Sequence, residues 1–122
     1  MARILLIEDD PAIRKFMARL LATQAHDMIE AGSIETGIAL LNEDPHFDLA
    51  IVDFWLGDGD AISLLDRIQD DFPQMPVILV TGGGGHLPME TTMALAEMRG
   101  VRQVIQKPFR AAQMLDAISA LS

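Results

Sequence analysis

Five apolar runs of strand length, each followed by a stretch of helical period, constrain this chain more than any other feature. A strand buried on both faces by crossover helices reads as a continuous apolar run. The pattern therefore specifies βα units and a parallel sheet covered on both sides. The runs are Arg3–Ile7, a weaker Asp27–Ala31, Leu49–Val52, Pro76–Val80 and Val101–Gln106. The expected class is α/β, a doubly wound sheet of five parallel strands with five helices. At 122 residues the chain can bury one hydrophobic core but not two, so residues 1–122 are expected to form one domain with no output domain in this chain.

Caps and breakers mark the helices between the runs. Asp10-Pro11 sets a capping carboxylate ahead of a proline at the first helical position. Ile13, Phe16, Met17, Leu20 and Leu21 then recur at threes and fours, as a single buried stripe would. Ser33 caps a second helix that ends near Asn42, before Asp44-Pro45, with Ile38 and Leu41 among its apolar positions. Gly57-Asp58-Gly59-Asp60 is a turn cluster; the helix after it buries Ile62, Leu65 and Ile68 and stops at Phe72-Pro73. A fourth helix starts at Pro88, with Leu95, Met98 and either Met89 or Met93 as its core stripe; these methionines read as core filler rather than a partner groove. The last helix, from about Arg110 to Leu121, carries Met114, Leu115, Ile118 and Leu121 on one side.

Open α/β sheets form their sites at the carboxyl ends of the strands. Here those ends carry Glu8-Asp9-Asp10, Asp53, Thr81 and Lys107-Pro108. Side by side they would make one pocket with a carboxylate cluster, a hydroxyl and an ammonium. Glu8, Asp9 and Asp53 within a few ångströms would repel by about 4 kcal/mol per close pair at an effective dielectric of 20, so the cluster needs a cation. With no cysteine and three scattered histidines, the donors are oxygens. That favours a hard ion, Mg2+ before Ca2+ because so few protein ligands are offered. Asp10 is better explained as the cap of the following helix.

Charge and hydropathy exclude other classes. A net charge of −9 with no run of Lys or Arg argues against direct nucleic-acid binding. No apolar stretch approaches the roughly 20 residues of a membrane span. The apolar segment after Arg3 is too short for a signal peptide, so a soluble, cytoplasmic chain is expected.

The ordered set Ile7-Glu8-Asp9-Asp10-Pro11, Asp48-Leu49-Ala50-Ile51-Val52-Asp53, Val80-Thr81-Gly82 and Lys107-Pro108-Phe109 resembles the receiver domain of two-component response regulators over essentially the whole chain. The resemblance implies a flavodoxin-like sheet of order 2-1-3-4-5 and a signalling module rather than an enzyme. It implies that a sensor histidine kinase or histidine phosphotransfer protein donates a phosphoryl group to Asp53, altering contacts with a downstream protein target. Asp9 would bind Mg2+ directly, Glu8 through water, and the Trp55 backbone carbonyl would complete the ligands with Asp53. Thr81 and Lys107 would hold phosphoryl oxygens, and the Lys107-Pro108 bond would be cis. An aspartyl phosphate carries about two negative charges, which a divalent ion and one ammonium can balance. The Trp55 side chain, two residues after Asp53, either packs on the loop or shields the acyl phosphate from water.

The chain departs from the family pattern in places. Gly57 stands where proline is common and Ala61 where glycine is usual. Val104 replaces the Tyr or Phe whose ring swings inward in the family's switch; valine has one stiff torsion and no ring. The glycine run Gly82, Gly83, Gly84 and Gly85, together with the next helix, could report phosphorylation instead.

Three alternatives are carried: a receiver-like scaffold that is never phosphorylated, a haloacid-dehalogenase-type phosphatase, and an FMN-binding protein. The second resemblance expects an acid where Trp55 stands. In the third, the carboxylate cluster would repel a cofactor phosphate.

Overall fold

Glycine-marked turns and side-chain caps divide the chain into ten principal elements. In the computed structural model, which describes residues 2–82 and 87–121, they are β1 (Arg3–Ile7), α1 (Pro11–Ala22), β2 (Asp27–Ala31), α2 (Ile34–Glu43), β3 (Leu49–Asp53), α3 (Ile62–Asp71), β4 (Val77–Thr81), α4 (Met89–Glu97), β5 (Gln103–Gln106) and α5 (Ala111–Leu121). The five strands pair in parallel in the order β2-β1-β3-β4-β5. A short antiparallel ribbon, Trp55–Leu56 against Gly59–Asp60, lies between β3 and α3. The Gly59-Asp60 half of the expected turn cluster is therefore extended, with Gly59 at a φ of +134° that other residues rarely adopt.

Side chains alternate across the strands with a period of two, and two core layers follow. Leu5, Ile7, Ala50, Val52, Val77 and Leu79 pack beneath α2, α3 and α4, against Leu41, Leu64, Leu65 and Ala96. Ile4, Leu6, Leu49, Ile51, Ile78, Val80 and Ile105 pack beneath α1 and α5, against Met17, Leu21, Met114 and Ile118. The second phase, extended to the strand ends, falls on Glu8, Asp53 and Lys107. That places three ionisable side chains on the α1/α5 side of one sheet edge.

Local chemistry sets the helix ends. The Asp10 carboxylate accepts from the Ala12 amide at 2.9 Å, and Ser33 Oγ from Thr36 N at 3.0 Å. At the far end of α4, Gly100 takes a φ of +74° and the Val101 amide donates to the Ala96 carbonyl at 3.1 Å. Val101 therefore closes the helix instead of opening β5, which starts two residues later than its apolar character suggests. Among the described residues, no helix is long and apolar enough to cross a membrane.

Two apolar expectations are corrected. Phe16 is 43% exposed, because Met17, Leu20 and Leu21, with Ile13 partly buried beside them, make the contact between α1 and the sheet. In α4 the buried residues are Thr92 and Ala96, with Leu95 packed partly against them. Met98 is 73% exposed and Met93 also faces out. The packed face of α4 is thus made by two small residues, while Met93 and Met98 face solvent and Met89 is half-buried.

Candidate functional site

Asp53 ends β3 opposite Val80 of β4, while Glu8 extends β1 by one residue and bonds through its amide to the Ala31 carbonyl at 3.0 Å. These positions fix where their carboxylates meet. Glu8, Asp9 and Asp53 each offer an oxygen, all within 4.8 Å of one another. Glu8 is 2% exposed and Asp53 5%, whereas Asp9 opens to solvent. Lys107 reaches both buried acids, its Nζ donating to Glu8 Oε1 at 2.8 Å and to Asp53 Oδ2 at 3.1 Å. The Lys107 amide is held in turn by the Thr81 carbonyl at 2.8 Å, and the Lys107-Pro108 peptide is cis, as expected.

With all groups ionised, three carboxylates face one ammonium, leaving two negative charges. An all-oxygen set with that residual charge fits a hard divalent cation such as Mg2+. Burial pushes the Glu8 carboxyl above its ordinary value; the Lys107 hydrogen bond opposes this and Asp53 adds to it. For Lys107, burial acts downward, but the hydrogen bonds and charges of Glu8 and Asp53 outweigh it and hold the ammonium above its ordinary value. The pair is thus asymmetric: the lysine gains from two acids, while the more deeply buried Glu8 shares one lysine with Asp53.

The loop after Asp53 is anchored at both ends. Phe54, fully buried, donates from its amide to the Val80 carbonyl at 2.9 Å and accepts from the Ala61 amide at 2.9 Å. Trp55 is half-buried, its ring edge-on to Phe54 with centroids 4.9 Å apart. The Gly57 turn passes beside the acids: a Cβ there would stand 3.5 Å from Asp9 Oδ2. Ala61 has a φ of −87°, so alanine fits where the pattern favours glycine. Asp60 starts α3 by accepting from the Ile62 amide at 3.0 Å.

Thr81 ends β4 and is buried; its hydroxyl donates to the Gly82 carbonyl at 3.4 Å. Val104 stands opposite Leu79, partly buried in the layer beneath α3 and α4. Gly82 lies beside Lys107, whose Cβ and Cδ would be 4.0 Å from an added Cβ. Gly83, Gly84 and Gly85, expected to take part in a switch, lie outside the described residues.

Three features escape the sequence reading. Lys107 is tied to Glu8 as well as to Asp53. The Asp58 carboxylate accepts from the Ile34 amide at 3.2 Å and the Glu35 amide at 3.3 Å, joining the ribbon to α2. Finally, a groove of about 560 Å³ runs beside Lys107, lined by Ala12, Ile13, Phe16, Pro108 and Phe109. The Phe16 and Phe109 rings lie 6.1 Å apart across it. In the sequence Phe16 reads as part of the buried stripe of α1, so no local signal announces the groove.

Residues 4–119 match the family model described as the response regulator receiver domain. The chain is 31% identical over 119 residues to the response regulator protein FleR of Pseudomonas aeruginosa, covering 97% of this chain and 24% of that protein. It is 32% identical over 107 residues to the transcriptional regulatory protein GlrR of Escherichia coli, covering 88% of this chain and 23% of that one. The chain thus spans about a quarter of the length of these curated relatives. Among solved structures it is similar to a CheY-like receiver domain protein from Methanospirillum hungatei, with a TM-score of 0.87 and 28% identity over 98% of this chain and 92% of that one. A receiver domain protein from Clostridium thermocellum gives a TM-score of 0.89 with 26% identity over 99% and 94% of the two chains.

Proposed function

This chain belongs to the response regulator receiver domain family, and on that premise we propose that it accepts a phosphoryl group on Asp53 from a sensor histidine kinase or a histidine phosphotransfer protein, with Mg2+ held beside it. Receiver domains are signalling domains, and the family match favours this reading over a phosphatase or a flavin protein. The observation that carries the proposal is the meeting of Lys107 with Glu8 and Asp53, beside Asp9, at one sheet edge.

Asp53 and Asp9, with Glu8 through water and the Trp55 carbonyl, would hold the ion. When bound, Mg2+ supplies positive charge to the acids and to the incoming phosphoryl oxygens. An ionised Asp53 needs no base: one of its oxygens forms the new bond to phosphorus as the phosphorus–nitrogen bond of the donor phosphohistidine breaks, and the imidazole leaves. Lys107 then turns from the two acids toward the phosphoryl oxygens, with Thr81 as a second donor. Catalysis of this kind is chiefly positioning and charge stabilisation. The groove along Phe16 and Phe109 gives a protein donor apolar footing next to Lys107. Phosphorylation is then read out as a changed contact with a downstream protein target, in the cytoplasm.

Acetyl phosphate with Mg2+, followed by intact mass spectrometry, tests the proposal. Wild type should gain one phosphoryl group, with no gain after chelation or in Asp53→Ala. A wild type that never gains the group would leave an unphosphorylated interaction scaffold as the function.

A further inference from the structure

The first turn of a helix leaves amides without helical partners. In α2 two separate side chains take them: Ser33 serves Thr36 from within the local chain, and Asp58 serves Ile34 and Glu35 from across the structure. Asp58 is not a local cap, since it lies 24 residues beyond Ile34 at the tip of the ribbon that leaves Asp53. The same turn brings Gly57 to Asp9 and follows directly on Trp55–Leu56. Both ends of this loop are thus held in the core at Phe54, through Val80 and Ala61, and its tip is held by α2 through Asp58.

We propose that Asp58 is a positioning residue for the Mg2+ and phosphoryl site, clamping the loop after Asp53 onto the first turn of α2 so that the loop stays seated against Asp9. The proposal rests on the functional reading given above. It separates two roles that the turn cluster alone does not distinguish: Asp60 starts the next helix, while Asp58 ties the site loop to an earlier one. Without the clamp the loop can lift from Asp9, and every bound state then carries the cost of seating it again.

The test compares wild type, Asp58→Ala, Asp58→Asn and Ser33→Ala, none of which alters a carboxylate of the cluster. Mg2+ affinity is read from the fluorescence of Trp55, the only tryptophan, or by calorimetry; thermal unfolding is measured without metal. Both Asp58→Ala and Ser33→Ala uncap α2 and should lower the metal-free melting point to a similar degree. Only Asp58→Ala should also weaken Mg2+ binding, by about five-fold or more. Asp58→Asn keeps an oxygen acceptor and should retain part of the affinity.

Mg2+ affinity unchanged in Asp58→Ala would overturn the proposal. So would equal losses in Asp58→Asn and Asp58→Ala, since the effect would then be charge alone, or an equal loss in Ser33→Ala, since uncapping α2 would then suffice. A wild type that binds no Mg2+ would remove the functional reading and this inference together; wild-type binding with Asp58→Ala unaltered would remove this inference only.

Discussion

Lys107 and Glu8, 99 residues apart in the chain, meet with Nζ 2.8 Å from Oε1. The ammonium expected to hold a phosphoryl oxygen is thus already engaged by acids, and it serves as the pocket's own counter-ion when no metal is bound. In that state one cation compensates two nearly inaccessible carboxylates.

Lys107→Met should therefore destabilise the metal-free protein by about 3 kcal/mol, because removing one partner strands buried charge. Mg2+ should recover more stability in this variant than in wild type, where ten times the dissociation constant adds about 1.4 kcal/mol. Denaturant unfolding with and without Mg2+ checks both figures. An equal Mg2+ gain in the two proteins would mean that the ammonium and the metal do not share the same acids.

Glu8 gives a pH dependence of definite sign. Burial foremost, opposed by the Lys107 hydrogen bond and reinforced by Asp53, raises its folded value above the ordinary 4.5. The native protein therefore binds the Glu8 proton more tightly than the unfolded chain does. This contribution to stability is full below pH 4.5 and is lost as pH rises through the raised native value. In chelated buffer, the stability of wild type relative to Glu8→Gln should fall from pH 4.5 upward and then level off. A flat difference across that window would contradict the burial assigned to Glu8.

Phe16→Asp should separate protein donors from small ones. The ring lies at the surface and contributes little to the core, so folding should be preserved. Phosphotransfer from a cognate kinase should slow by about ten-fold, the loss of one good interface anchor. The rate with acetyl phosphate should not change. Equal slowing with both donors would place the defect in the pocket rather than in the groove.

Met98→Ser should alter stability by less than about 0.5 kcal/mol, since that side chain is largely in solvent. Met114→Ala, fully buried between α5 and the sheet, should cost about 2–5 kcal/mol. Chemical denaturation of the two variants side by side checks that Met98, at the end of α4, faces solvent while Met114 is in the core.

The strand ends were legible in the chain because apolar runs stop where chemistry begins: Ile7 before Glu8, Val52 before Asp53, Val80 before Thr81. The caps at Asp10 and Ser33 were equally legible, since each acts on amides two or three residues away. Periodicity tells which residues share a helix face but not how much room the neighbour leaves. Phe16 shares a stripe with Met17 and Leu20 and is nevertheless left outside. In α4 the packed side is made by Thr92 and Ala96, whose small size carries no hydrophobic signal. The Lys107–Glu8 pair and the Asp58 clamp join segments far apart in sequence, and no local pattern announces them.

Asp53 as the acceptor is tested most directly by reductive trapping. The protein is treated with acetyl phosphate and Mg2+, reduced with borohydride so that an acyl phosphate becomes an alcohol, digested and mapped by mass spectrometry. The expected result is homoserine at position 53, absent from the chelated control. Trapping at another carboxylate, or none at any position under conditions where wild type binds Mg2+, would contradict the assignment.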